Sequence, residues 1–297
     1  MTTAAATAGG EGWTHHEAVV NNVRLHWVEA GEGPLVVLLH GFPQFWWAWR
    51  WQTPVLAAAG YRVVAPDLRG YNLSEKPARV AAYRTEQLMG DVVGLVRHLG
   101  ADKAHVVGHD WGGVIAWWMG MLAPAHVDRL AILNAPHPRA FARELMTPDQ
   151  MMRSWYAAAF QVPILPEAAF RRGDFALLER IFRGEAVRPG AFTDRDIQLY
   201  REAAARPGAI KAMLSYYRAA ARHSSPRSRR VAVPTLVIWG DRDPALSVRL
   251  THGLEKWVPD IRVEHLPEAS HWVMEEFPDR VNELLLGFLR EGASPHA

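Results

Sequence analysis

The stretch Gly108-His109-Asp110-Trp111-Gly112 follows one apolar run, Ala104 to Val107, and precedes another, Val114 to Leu122. A strand entering a helix through a tight turn, with small residues two before and two after its centre, is a nucleophile elbow, and it stands the central side chain above the sheet edge. That central residue is Asp110. A carboxylate attacking an ester or amide yields only a reactive anhydride, whereas attack on a saturated electrophilic carbon yields a stable alkyl ester, so an alkylating electrophile is the expected substrate. Hydrolysing the ester needs a base for water and an acid that orients the base. Of the two acids in Gly240-Asp241-Arg242-Asp243, after the apolar run Thr235 to Trp239, Asp243 is assigned to orient. His271, in Ala269-Ser270-His271-Trp272 after Val263 to Leu266, is assigned as the base. Nucleophile, acid, histidine is the chain order that this kind of elbow uses. The tetrahedral intermediate also requires backbone N–H donors. Trp111 offers one, and Phe42, in His40-Gly41-Phe42-Pro43, offers the other. Gly41 lets that loop turn closely, and Pro43 is a candidate for a cis bond.

These residues need a scaffold that brings several strand ends to one edge. His15 to Glu29 holds two alternating runs around Asn21-Asn22, an opening hairpin. Leu35 to Leu39 and Tyr61 to Ala65 are short apolar runs of the kind buried on both faces of a parallel sheet. Leu88, Val92, Leu95, Val96 and Leu99 keep the helical period, with Gly100 as a stop. Leu130 to Leu133, Thr235 to Trp239 and Val263 to Leu266 are further strands, and the alternation predicts an α/β parallel sheet. Between Pro136 and Pro234 the pattern becomes helical, Arg-rich and broken by prolines. An insertion leaving a strand's carboxyl end is placed to roof a site at that edge. The expected division is a core in two parts, 1–135 and 234–297, around a helical cap, 136–233.

His40 to Pro43, Asp67-Leu68-Arg69-Gly70-Tyr71-Asn72-Leu73-Ser74, Gly108 to Gly113 and Ser270-His271-Trp272 resemble, in this order, motifs of the α/β-hydrolase fold. The likeness is to its soluble epoxide hydrolases and their haloalkane dehalogenase relatives, and covers most of the chain. It implies a mostly parallel central sheet flanked by helices, with a helical cap. It further implies two cap tyrosines that hydrogen-bond the epoxide oxygen and protonate it as the ring opens. Ser154-Trp155-Tyr156 ahead of Phe160-Gln161-Val162-Pro163 resembles the first cap motif, and Tyr216-Tyr217-Arg218 the second. Tyr156 and Tyr217 are the residues so assigned, with Tyr216 the nearest rival, since adjacent helical side chains diverge by about 100°. Substrate contacts are expected from Phe42, Trp111, Trp155 and Trp272. The tryptophans of Phe45 to Trp51, and Asp67, Arg69 and Gly70, read as packing and turn residues.

The expectation is thus an epoxide hydrolase that forms a vicinal diol through an Asp110 ester. A dehalogenase would share Asp110, Asp243 and His271 but needs donors for a departing halide. Phe42 stands where its relatives carry asparagine, and Trp111 where the fluoroacetate-cleaving branch carries arginine. A non-catalytic ligand-binding protein is a third reading, though no catalytic position is lost.

Composition excludes other classes. The 297 residues are 49% hydrophobic and 22% charged, enough for a full core. Without cysteine there are no disulfides or thiolate sites. The net charge of +2 hides a basic middle: residues 139–230 carry 17 Lys or Arg against 9 Asp or Glu, the remainder 16 against 22. Scattered arginines on amphipathic helices form a solvated face more often than a nucleic-acid site. Residues 1–10 read as a frayed tail rather than a secretion signal, and no run approaches membrane-spanning length. The expected partner is a small epoxide with an apolar substituent, with no nucleic acid, membrane, metal or organic cofactor, in the cytoplasm. A homodimer is left open.

Overall fold

The computed structural model describes residues 13–223 and 229–291; the tail at 1–10 lies outside them. The chain opens with a hairpin of β1 (Thr14–Val20) and β2 (Val23–Ala30). Asn21 and Asn22 turn it with φ of 51° and 59°, the signs a two-residue hairpin turn requires and asparagine tolerates. There follow β3 (Leu35–Leu39), α1 (Thr53–Ala58), β4 (Arg62–Pro66), α2 (Thr85–His98), β5 (Ala104–His109), α3 (Trp111–Leu122) and β6 (Val127–Leu133). The alternation then lapses, as the sequence predicts, into α4 (Pro138–Glu144), α5 (Pro148–Arg153), α6 (Trp155–Ala159), α7 (Leu165–Glu185), α8 (Asp194–Ala205) and α9 (Ala209–Arg222). It resumes with β7 (Thr235–Gly240) and β8 (Ile261–Leu266), and closes on α10 (Val273–Glu276) and α11 (Pro278–Arg290).

The eight strands form one sheet in the order β1-β2-β4-β3-β5-β6-β7-β8. The first two pairings are antiparallel and the other five parallel. β3 and β5 are buried at every residue; β3 reads as a continuous apolar run, whereas β5 interrupts its apolar residues with the buried His105 and ends on the buried His109. β8 has only one strand neighbour and alternates polar Arg262 and Glu264 with apolar residues, so its first two residues escaped an apolar reading. β6 likewise begins three residues before its apolar part, at Val127. α3 starts at Trp111, directly on the elbow, and buries Ile115, Trp117, Trp118 and Met119 against the sheet. Each such side chain contributes about 1.5–3 kcal/mol of burial. No helix among the described residues is long and apolar enough to cross a membrane.

Register explains how the site assembles. Leu39 pairs with Gly108, His109 with Leu133, Leu133 with Ile238, and Gly240 with Leu266. The last residues of β3, β5, β6, β7 and β8 therefore end level, and the loops that follow them meet at one sheet edge.

Candidate active site

The elbow depends on glycines that permit close backbone approach. A Cβ on Gly112 would lie 2.1 Å from the Leu39 carbonyl oxygen, and one on Gly41 would lie 2.3 Å from Asp110 Cβ. Only with both as glycine do the β3 loop and the elbow touch. Asp110 occupies φ 49°, ψ −120°, a conformation costly for any residue with a side chain. It is maintained by the Val114 N–H bond to the Asp110 carbonyl (2.9 Å) at the start of α3.

The Asp110 carboxylate meets two backbone donors. Phe42 N–H donates to Oδ1 at 2.7 Å, and the Trp111 N–H also bonds the carboxylate. The Phe42-Pro43 bond is cis. His271 Nε2 stands 3.8 Å from Asp110 Oδ2, while its Nδ1 lies 2.7 Å from Asp243 Oδ2. Asp243 is saturated: Oδ2 also accepts from Asn134 Nδ2 (2.8 Å), and Oδ1 from the N–H groups of Ala245 (2.8 Å) and Leu246 (2.9 Å). Exposure separates the two acids. The Asp110 side chain is 18% exposed and that of Asp243 0%, so only Asp110 is open to an incoming molecule.

Charge in the site is tightly balanced. Burial raises the Asp110 carboxyl above its ordinary range, opposed by His271 and by the Phe42 and Trp111 N–H groups. Burial alone would lower His271, but Asp243, by charge and hydrogen bond, then Asp110 and Glu185, outweigh it and push the imidazole up to about 9. His109 lies with its ring 4.6 Å from that of His271 and its Nε2 2.9 Å from the His271 carbonyl oxygen, and burial keeps it well below its ordinary value.

Above Asp110 lies an aromatic enclosure. Tyr217 packs edge-on to Trp111 (5.1 Å between ring centroids) and Phe42 (5.4 Å), and Tyr156 lies 5.9 Å from Tyr217. Phe160 joins Tyr156 (5.7 Å), Tyr217 (5.0 Å) and Phe42 (5.6 Å). Both phenols are raised above their ordinary value, first by burial and then by the Asp110 charge, so both keep their protons at neutral pH. Tyr216 is turned away: its hydroxyl donates to the Arg69 carbonyl at 2.7 Å in a fully buried position.

A match to the family described as alpha/beta hydrolase fold spans residues 34–278, taking in the β3 loop, the elbow, Asp243 and His271. The chain belongs to the α/β-hydrolase family. It is 42% identical over 274 residues to the AB hydrolase superfamily protein YfhM of Bacillus subtilis (strain 168), covering 91% of this chain and 96% of that one. It is 36% identical over 279 residues to human epoxide hydrolase 4, covering 91% and 77%. A crystal structure of the Bacillus megaterium epoxide hydrolase in complex with an inhibitor superposes with a TM-score of 0.87 at 34% identity, covering 93% of this chain and 100% of that one.

In this α/β hydrolase the sequence-assigned Asp110, Asp243, His271, Phe42, Trp111, Tyr156 and Tyr217 come together around one carboxylate. Two expected substrate contacts do not. Trp155 is 69% exposed, because on the five-residue α6 the neighbouring Tyr156 takes the inward side. Trp272 is buried beneath the histidine loop, its ring 4.8 Å from His271 and 5.0 Å from Phe182, so it supports the base from below. Asp67 is the turn residue it was read to be, accepting from Asn72 Nδ2 (2.9 Å) and the Trp46 N–H (3.2 Å) and pairing with His26 Nδ1 (2.7 Å). Sequence reasoning missed Asn134 and Phe160. A polar residue directly after the apolar run of β6, at the edge where β5, β7 and β8 lead into Asp110, Asp243 and His271, was the signal for Asn134.

Proposed function

We propose that this α/β hydrolase opens epoxides to vicinal diols through a covalent ester on Asp110, with residues 136–233 acting as the cap over that site. The observation that carries the reading is the pair of protonated phenols, Tyr156 and Tyr217, over a partly accessible carboxylate in the nucleophile position. A carboxylate nucleophile asks for a saturated electrophilic carbon, and the phenols ask for a leaving oxygen bound to that carbon. An epoxide combines the two. The similarity to epoxide hydrolases over nine-tenths of the chain supports the same choice.

In the first half-reaction Asp110 attacks a ring carbon while the phenols bind the epoxide oxygen and protonate it. Alkylation then changes the electrostatics. While Asp110 is ionised its charge helps hold His271 up to about 9, where the imidazole is protonated and a poor base. Esterification removes that anion, so the pKa of His271 falls at the moment a base is needed. His271, oriented by Asp243, takes a proton from water, and the water attacks the ester carbonyl. The Phe42 and Trp111 N–H groups receive the oxyanion. Phe42, Phe160 and Trp111 favour an apolar substituent on the epoxide.

The test is a single turnover of excess enzyme with styrene oxide in isotopically labelled water. Diol free of label in the first turnover took its new oxygen from Asp110, as expected. Diol already labelled would mean direct attack by water and overturn the covalent route. Halide release from haloalkanes with no diol from the epoxide would overturn the substrate class.

A further inference from the structure

The loop that carries His271 is tied to the core at several main-chain groups. The Leu266 carbonyl accepts from Asp241 N–H (3.1 Å), the Ala269 carbonyl from Arg242 N–H (2.9 Å), and the His271 carbonyl lies 2.9 Å from His109 Nε2. The tie at Ser270 is different. Its N–H has one acceptor among the described residues, Glu276 Oε2 at 2.7 Å, and both residues are wholly buried. The other oxygen of that carboxylate, Oε1, accepts from the N–H of Val187 and, at 3.3 Å, from that of Arg188, in the link between α7 and α8. Arg188 also donates from Nη1 to the Glu276 carbonyl at 2.7 Å. The same two segments meet through rings, Phe182 of α7 packing on Trp272 at 5.0 Å. One side chain thus bridges the residue before His271 and a stretch of the segment proposed as the cap.

A carboxylate taken out of water must find hydrogen bonds or a countercharge to replace it. Glu275, the preceding residue and also buried, has the countercharge: Arg50 Nη1 stands 2.7 Å from its Oε2. Glu276 has no ion pair among the described residues and is held by three backbone N–H groups drawn from two segments. If the α7–α8 link shifts, the carboxylate either follows it, drawing on Ser270, or leaves a buried donor without an acceptor. We propose that Glu276 is a positioning residue for His271, through which the seating of the α7–α8 link sets the placement of the base. Its effect belongs to one half-reaction. Ring opening uses Asp110 and the phenols on α6 and α9, none of which Glu276 touches. Hydrolysis of the ester needs His271 aligned with a water, and a misplacement of about 1 Å in such an array costs about 10²-fold in rate.

The inference rests on the epoxide reading, and the experiment separates the two. Two variants are compared with the wild type on styrene oxide, following the Asp110 adduct by rapid quench and intact mass alongside steady-state kinetics. Glu276→Gln keeps the shape of the side chain but turns an amide NH2 toward one of the N–H groups, releasing one segment from the other. Val187→Pro cuts the bridge from the far side, deleting an N–H while leaving Glu276 and Ser270 in place; Ala186 before it is already extended (φ −66°, ψ 129°), as a residue preceding proline must be. In Glu276→Gln, adduct formation and kcat/KM stay within about twofold, while adduct decay slows about tenfold and kcat and KM fall together. In Val187→Pro, where the Arg188 N–H remains, decay slows about threefold with formation again unchanged. Decay at the wild-type rate in Glu276→Gln would overturn the inference alone. So would equal slowing of formation and decay, the mark of a merely structural role, and so would normal decay in Val187→Pro, which would cut the α7–α8 link out of the placement of the base. Should Glu276→Gln fail to fold, Val187→Pro decides by the same criterion. A wild type that forms neither adduct nor diol would bring down the epoxide reading and this inference with it.

Discussion

Replacing His271 with glutamine separates the two half-reactions, and the structure sets what each should lose. The imidazole stands 3.8 Å from Asp110 Oδ2, beyond hydrogen-bond reach, so it takes no direct part in the attack on the epoxide. Its effect there is electrostatic. At an effective dielectric constant of about 20 an ion pair at this separation is worth about 4 kcal/mol before relaxation, and it stabilises the Asp110 carboxylate. Losing it moves the Asp110 carboxyl further up, so the variant is best compared with the wild type at alkaline pH, where more of the carboxylate is ionised. The second half-reaction loses its general base, which costs about 10²- to 10⁴-fold, or about 3–5 kcal/mol of barrier. The fold should survive, because Asp243 keeps its donors from Asn134, Ala245 and Leu246.

Adduct formation at close to the wild-type rate, with decay slowed at least about a hundredfold, is therefore expected. Intact-protein mass spectrometry after mixing with styrene oxide should show nearly stoichiometric alkyl-enzyme, and peptide mapping should locate it on Asp110. Wild-type turnover by His271→Gln would refute the base assignment. Diol formation without any adduct, in wild type or variant, would refute the ester route as a whole.

Asp110→Asn should form no adduct and lower kcat/KM by at least about 10⁴-fold, since an amide is a poor nucleophile; an adduct elsewhere, found by the same mapping, would move the nucleophile. Tyr217→Phe should slow adduct formation about 10²-fold or more, whereas Tyr216→Phe should leave it unchanged and cost about 1 kcal/mol in urea unfolding through the lost bond to the Arg69 carbonyl. The opposite pattern would exchange the two roles. Asn134→Ala leaves Asp243 Oδ2 with His271 alone and should cost about 1–3 kcal/mol of stability while lowering kcat more than it raises KM. His271 is raised from its ordinary 6.5 to about 9 in the folded chain, so its contribution is complete below about pH 6.5 and disappears as pH rises through 9. The wild type should therefore lose up to about 3 kcal/mol across that window, and His271→Gln should lose less.

What the sequence makes legible follows from how each part is built. The core of the site is fixed by backbone: strands buried on both faces are mostly apolar, and the glycines at 41, 108 and 112 are forced by distances too short for a Cβ, so Asp110, Phe42, Trp111, Asp243 and His271 could be found by reading along the chain. The helices from α4 to α9 offer no such constraint. α6 is the five residues Trp155–Ala159, too short for a period to separate its two aromatics, and only the structure turns Trp155 outward. α9 shows a different limit. It is buried at Ala209, Ile210, Ala212, Met213, Leu214, Ser215, Tyr216, Arg218 and Ala219, nearly all round, because its Tyr216 side packs on Tyr71 and Tyr83 while Tyr217 closes over Phe42 and Trp111. Its polar stripe, Lys211, Ser215, Arg218 and Arg222, does not mark a solvent face, because Ser215 and Arg218 are buried as well; the motif assigns Tyr217 with Tyr216 as its rival, and the Arg69 carbonyl that captures the Tyr216 hydroxyl separates the two.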